Sequence, residues 1–424
     1  MRRTAMTEPS QPMVKIYGTR GSAACYSLRD FLHRSDVPFE WIDLTSGEAA
    51  GAEAGVRGPH DPALPVCVFP DGVRLANATV RQITEKLGWF RDPSRAEYDL
   101  AIYGAGPAGL SAAVYGASEG LSTILIERYA VGGQASCSPR IENYLGFPEG
   151  ISGAELAERA RQQACRFGAE ILIQRAGVRG EIVAGKGIGH LEDGTKIVAR
   201  ASVCATGVDY RRLGLPNEDR LFGAGVYYGA GASEAMLCGR QEIYLVGGGN
   251  SAGQAALHFA RYAAGVNMVV REDSLSVYMS EYLIDRIRAE PKVKVLLNTE
   301  VIALHGDRIL QAITLRNNQT GREWTAETSW LFLCLGGVPQ TQWAAEAGVV
   351  CDSAGYIVTG SDLLKNDRPP ESWVLDRKPY AMETSLPGVF AAGDVRAGSI
   401  KRFASAVGEG AWTIASVHRF LADG

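Results

Sequence analysis

The stretch Val14-Lys15-Ile16-Tyr17-Gly18 alternates in the manner of a short strand, and Leu28, Phe31 and Leu32 then return at helical spacing within Ser22 to Arg34. The run PFEWIDL predicts a second strand, and a Gly/Ala/Glu-rich loop follows it. ALPVCVFPDGVRL predicts a strand pair turning at Asp71-Gly72, and a last helix runs from about Ala76 to Leu87. Residues 13–90 therefore form a small domain of order β-α-β then β-β-α. The polar run 91–97 reads as a linker.

A stronger signal begins at Tyr98. Strand DLAIYG, a glycine-rich turn, helix AGLSAAVYGASEG and strand STILIER make one complete βαβ unit. The same grammar recurs at EIYLVGGGNSAGQAALHFARYAAG, followed by VNMVVRED. Two such units predict an α/β protein with two Rossmann-like dinucleotide-binding domains. The Pro- and charge-rich stretch 361–385, before the strand of GVFAAGD, reads first as a surface loop and second as a cover for the active site.

The first turn is Gly104-x-Gly106-x-x-Gly109, and Glu127 closes the next strand. Gly104 permits the tight turn, Gly106 lets a pyrophosphate touch backbone, Gly109 lets helix and strand pack, and Glu127 accepts ribose hydroxyls. The second turn is Gly247-x-Gly249-x-x-Ala252, with Asn250 and Ser251 opening the helix, and its strand ends Val270-Arg271-Glu272-Asp273. Arg271 is placed to pair with a 2′-phosphate, which favours NADPH over NADH, while Glu272 beside it works against that preference.

Composition narrows the class. The chain has 424 residues, 46% hydrophobic and 21% charged, with 50 glycines and a formal net charge of −4. That length predicts several domains, and that charge gives no reason to expect nucleic acid or an acidic membrane as partner. The opening MRRTAMTEPSQP lacks an apolar core, and no window is apolar enough for a membrane span, so a cytoplasmic setting is expected. The 8 cysteines, at 25, 67, 137, 165, 204, 238, 334 and 351, include no C-x-x-C and no metal-ligand spacing, and no metal is expected.

GAGPAGL in the first unit, GGQ at 132–134, IENYLGFPEGISGAEL at 141–156, CATG at 204–207, VGGGNSA at 246–252 and GVFAAGDV at 388–395 together resemble the low-molecular-weight thioredoxin reductases over residues 98 to about 420. The resemblance implies FAD held by Glu127 at the adenosine ribose, by the Gly133-Gln134 turn and Asn143 near the isoalloxazine, and by Asp394 at the ribityl chain. A C-terminal helix beginning near Lys401-Arg402 would present its backbone amides to the flavin. It also implies a homodimer, and an NAD(P)H-binding domain at 214–338 inserted between FAD-binding parts at 98–213 and 339–424. Residues 13–90 resemble a glutaredoxin-type thioredoxin fold, with LPV at 64–66 where that fold keeps a cis-proline.

Both resemblances break at the same chemistry. The family's redox C-x-x-C falls in register with Gly229 and Ala232 in GVYYGAGAS, and Ser22 stands where the N-terminal fold keeps its nucleophilic cysteine, leaving only Cys25. Thioredoxin-disulfide reduction by the family's route is not expected. Cys137 is the best substitute thiol, Ser22 reads first as a helix N-cap and second as a thiol-binding hydroxyl, and Tyr227 and Tyr228 are either pocket walls or core aromatics. The leading expectation is an NADPH-dependent FAD oxidoreductase that passes electrons from flavin to a non-dithiol acceptor, a small molecule or a redox protein. The alternatives are a non-catalytic flavin- and nucleotide-binding regulatory or docking protein, and a diflavin oxidoreductase.

Overall fold

The computed structural model describes residues 14–46, 49–52, 54–229, 231–239 and 241–423. They divide into two compact units: one reaches to Ile83 and takes up Gly214–Leu333, and the other comprises Thr84–Leu213 with Cys334–Gly424. The division falls inside the helix Val80–Lys86. That helix starts later than the expected Ala76, because Thr79 and Gln82 cap it reciprocally, Thr79 N donating to Gln82 Oε1 at 2.9 Å and Gln82 N to Thr79 Oγ1 at 3.2 Å.

In the first unit, the N-terminal module is a four-stranded sheet in the order Phe39–Asp43, Val14–Gly18, Val66–Val68, Arg74–Leu75. The Val14–Gly18 strand runs parallel to the first of these and antiparallel to Val66–Val68. The helix Ala23–Arg34 buries Cys25, Leu28, Phe31 and Leu32, and Ser22 is its N-cap, its hydroxyl accepting from Cys25 N at 3.3 Å. The Leu64–Pro65 bond is cis, as expected.

The nucleotide-binding domain of the same unit is a parallel sheet in the order Val226–Tyr228, Leu331–Leu333, Glu242–Val246, Gly265–Val269, Val293–Leu296. A three-stranded antiparallel sheet, Thr299–His305, Ala312–Asn317 and Glu323–Glu327, follows. The expected domain end at 338 moves to Leu333, because Gly337–Pro339 pairs with Val208–Tyr210 of the second unit.

The second unit is built on parallel strands Glu170–Ile173, Thr123–Glu127, Tyr98–Tyr103 and Lys196–Cys204, with Val389–Ala391 added parallel to the last. Residues 91–97, expected to be a plain linker, are fastened to this unit: Arg175 reaches Asp92 at 2.5 Å and Ser94 N donates to Glu170 at 3.0 Å. The helices Pro107–Ser118 and Phe403–Asp423 lie together, because Gly410 has no side chain to overlap the Ala108 carbonyl and Ser111 Oγ donates to Val407 O at 2.7 Å.

Candidate functional site: two dinucleotide turns

In the second unit the carboxyl ends of Tyr98–Tyr103, Lys196–Cys204 and Val389–Ala391 bring the first glycine turn together with later segments of the chain. Gly104 has φ of 103°, and a Cβ there would overlap the Ala205 carbonyl, while one on Gly109 would overlap the Gly104 carbonyl. Gly106, the N-cap of Pro107–Ser118, faces open space. The Gly132-Gly133 turn crosses it closely: Gly132 N donates to Ala105 O at 2.7 Å, and a Cβ on Gly133 would stand 3.1 Å from Gly106 Cα. Two side-chain-free backbones thus form a cradle at a helix N-terminus, which suits a pyrophosphate.

Glu127 is 7% exposed, and its carboxylate accepts from Ala105 N and Tyr129 N, both at 2.8 Å. Each oxygen keeps a lone pair for a ribose hydroxyl. Gln134 is tied through its Nε2 to Val208 O at 2.6 Å, and Asn143 is exposed in the loop closed by the Ile141–Ile151 bridge. Asp394 lies in the turn Gly393–Val395, where burial raises its carboxyl pKa and Lys401 opposes the shift. Glu409, which the sequence pattern did not single out, supports that turn by accepting from Gly393 N at 2.7 Å and pairing with Arg396 at 2.8 Å. Arg402 is exposed immediately before the helix Phe403–Asp423, and its carbonyl accepts the first-turn amide of Ala406 at 3.0 Å. These residues fit FAD.

The second turn repeats the plan in the first unit. Gly247 has φ of 144° and its N donates to Val269 O at 3.0 Å, as Gly104 N donates to Ile126 O at 2.8 Å. Gly249 is the N-cap of Asn250–Phe259, Ser251 is exposed, and Ala252 is buried without conflict. Asn250 and Ser280 exchange hydrogen bonds at 3.0 and 2.7 Å, fixing the helix entrance to the next loop. Arg271 is exposed but engaged by Glu272 at 2.6 Å, and a Cβ on Gly248 would stand 3.6 Å from the same carboxylate.

A family model described as pyridine nucleotide-disulphide oxidoreductase matches residues 98–410. The chain belongs to that family. Among similar proteins is the thioredoxin reductase of Bacillus subtilis (strain 168), 35% identical over 77% of this chain and 95% of its own. That of Listeria innocua is 36% identical over 74% of this chain and 90% of its own. Among solved structures, T. acidophilum thioredoxin reductase superposes with a TM-score of 0.69 at 29% identity, covering 77% of this chain and all of its own. This pyridine nucleotide-disulphide oxidoreductase is of the thioredoxin-reductase type, a NAD(P)H-dependent flavin oxidoreductase whose cofactors are FAD and NADPH.

Within this oxidoreductase, the segment from Val226 to Cys238 departs from the expected pocket. Tyr227 is not a pocket wall: it is 2% exposed, with Tyr26, Phe332 and Trp330 rings at 5.1, 5.3 and 5.7 Å, and burial pushes its phenol pKa far up. Tyr228 is likewise buried, 5.8 Å from the Phe222 ring. Gly229 and Gly231 have φ of 76° and 51°, the left-handed region that L side chains resist, and a Cβ on Gly231 would overlap the Phe332 ring. The side chain of Ala232 lies outside the described residues. Cys137 is buried at the end of Gly133–Cys137, and Cys334 is close enough to feel it: burial, reinforced by Cys137, pushes the Cys334 thiol up to about 12, which makes it a poor nucleophile.

Proposed function

We propose that this chain transfers electrons from NADPH through FAD directly to a non-dithiol acceptor. The observation that carries this reading is the segment 229–232. No two of the chain's cysteines stand in C-x-x-C spacing, and on the resemblance the family's redox pair would fall in register with Gly229 and Ala232. The positive φ at Gly229 adds that the backbone there has taken a course a cysteine would resist.

Bound FAD supplies the two-electron chemistry. The chain's residues would hold and orient its parts: the paired turns at Gly104–Gly109 and Gly132-Gly133 would take the pyrophosphate, Glu127 the ribose, and the turn carrying Asp394 the ribityl side. The N-terminal module reads as a glutaredoxin-type thioredoxin fold whose helix start has become an N-cap, a reading supported by its strand order, its cis-proline and the Ser22 hydrogen bond.

Anaerobic mixing of the oxidised holoprotein with NADPH tests the reading. Rapid loss of the flavin's visible absorbance, followed by reoxidation with a quinone or oxygen but not with thioredoxin disulfide, is expected. Absent reduction would favour a regulatory flavin- and nucleotide-binding protein, and NADPH-dependent reduction of thioredoxin at relatives' rates would refute the proposal. Two flavins per chain after acid extraction would establish the diflavin alternative.

A further inference from the structure

Arg29 is among the largest fully buried side chains, 2% exposed. Its Nε and Nη2 donate to the two oxygens of Glu234, at 3.1 and 2.9 Å, across 205 residues of sequence. The guanidinium also lies 4.2 Å from the centre of the Trp41 ring. A forked, stacked guanidinium fixes direction as well as distance. Burial pushes the Glu234 carboxyl up while Arg29 pulls it back, and the Glu234 carboxylate raises the Arg29 pKa against the effect of burial.

The pair does not stand alone. Tyr26, one turn earlier, packs on Tyr227 at 5.1 Å and edge-on to Phe222 at 5.7 Å. At the start of the helix, Gly223 has φ of 72° and a Cβ there would stand 3.0 Å from Ala23 Cα, so backbone meets backbone. Just before it, a Cβ on Gly21 would stand 3.0 Å from Ile309 Cδ1. Ser22, Tyr26, Arg29 and His33 recur at helical spacing as one stripe, while Cys25, Leu28 and Leu32 form another. The second stripe serves the module's own core. The first meets the nucleotide-binding domain through Tyr26, at Phe222 and Tyr227, and through Arg29, at Glu234.

Thiol–disulfide exchange needs the sulfurs in contact, so a thioredoxin-fold substrate must bring the start of its first helix to the dithiol segment of its reductase. Here the module's own first helix already holds Tyr227 and Glu234, which flank the residues in register with that dithiol. We propose that the N-terminal module is a resident partner of the nucleotide-binding domain, occupying through Tyr26 and Arg29 of its first helix the face that an external thioredoxin-fold protein would need. The inference rests on the register of residues 229–232 adopted above, and it predicts a closed face rather than only a missing pair of thiols.

Ser233, next to Glu234 in sequence, offers a near-isosteric probe beside the fork. In the full-length holoprotein with Cys165→Ser, Ser233→Cys would be reacted with a small aromatic disulfide and with a single-cysteine thioredoxin activated as a mixed disulfide. The same would be done after Tyr26→Ala and Arg29→Glu, which places two carboxylates together and lifts the module; retained FAD absorbance reports that the rest of the protein is folded. Labelling by thioredoxin is expected to rise at least about tenfold in the lifted protein, with faster amide exchange over 222–238. Equal thioredoxin labelling of both proteins would overturn the proposal. So would slow thioredoxin labelling of both combined with fast small-reagent labelling of the lifted one, since something other than the module would then close the face. Neither result bears on flavin reduction, so failure here leaves the electron route to its own test.

Discussion

Glu127 holds Ala105 N and Tyr129 N with one carboxylate, and its remaining lone pairs would serve a ribose. Glu127→Ala strands two amides beside the cradle, a cost of about 1–3 kcal/mol for a buried unsatisfied group. Purified protein should then contain much less than one FAD per chain, and full occupancy would show that the carboxylate is dispensable. At the second turn, Glu272 holds the cation that a 2′-phosphate would use. Glu272→Ala should free Arg271 and tighten binding of 2′,5′-ADP severalfold with little change for 5′-AMP, as titration calorimetry would show; equal changes would remove Arg271 from that role. The glycines of both turns were legible because only backbone demands explain their spacing. Tyr227 was not, since a buried aromatic and a pocket wall share one sequence signature. Arg29 and Glu234 were invisible for a different reason: a charge on a helix normally reads as solvated, and its partner lies far along the chain.

At the scale of elements, the Asn250–Phe259 helix carries a pH dependence. His258 has its pKa lowered to about 4, first by burial, then by the positive charges of Arg261 and His33, and His33 is itself lowered by burial. A histidine whose folded pKa is depressed binds its proton more readily when unfolded. Stability of this unit is therefore complete above the unfolded value of about 6.5 and declines as pH falls from there towards 4. Amide-exchange protection over 250–262 should drop between pH 7 and 5, and His258→Gln should flatten that response; an unchanged profile would assign the effect elsewhere. In the other unit, Glu409 holds Gly393 N and Arg396 together. Glu409→Ala should loosen the turn bearing Asp394 and speed FAD loss, which flavin fluorescence release would follow. Alternation and helical spacing predicted the module's elements to within a few residues at their ends, with Thr79 and Gln82 setting one boundary that periodicity could not.

Across the whole molecule, the two dinucleotide units follow from repeated local grammar, and that is why the domain order was legible. The boundary at Leu333 was not, because it depends on the pairing of Gly337–Pro339 with a strand far earlier in the chain. Nor did composition show that the N-terminal module and the inserted domain form one compact unit while residues 91–97 are bonded to the other. The buried Arg29–Glu234 fork gives that arrangement a practical meaning. Specific proteolysis at a site introduced at Gly88, ahead of the residues that Arg175 and Glu170 hold, should leave the N-terminal piece bound through gel filtration in its holoprotein, at one piece per chain, and released once Arg29→Glu is added. In such a protein the peptide connection fixes stoichiometry, and the fork fixes address: the module behaves as a subunit whose dissociation constant the chain itself has made irrelevant.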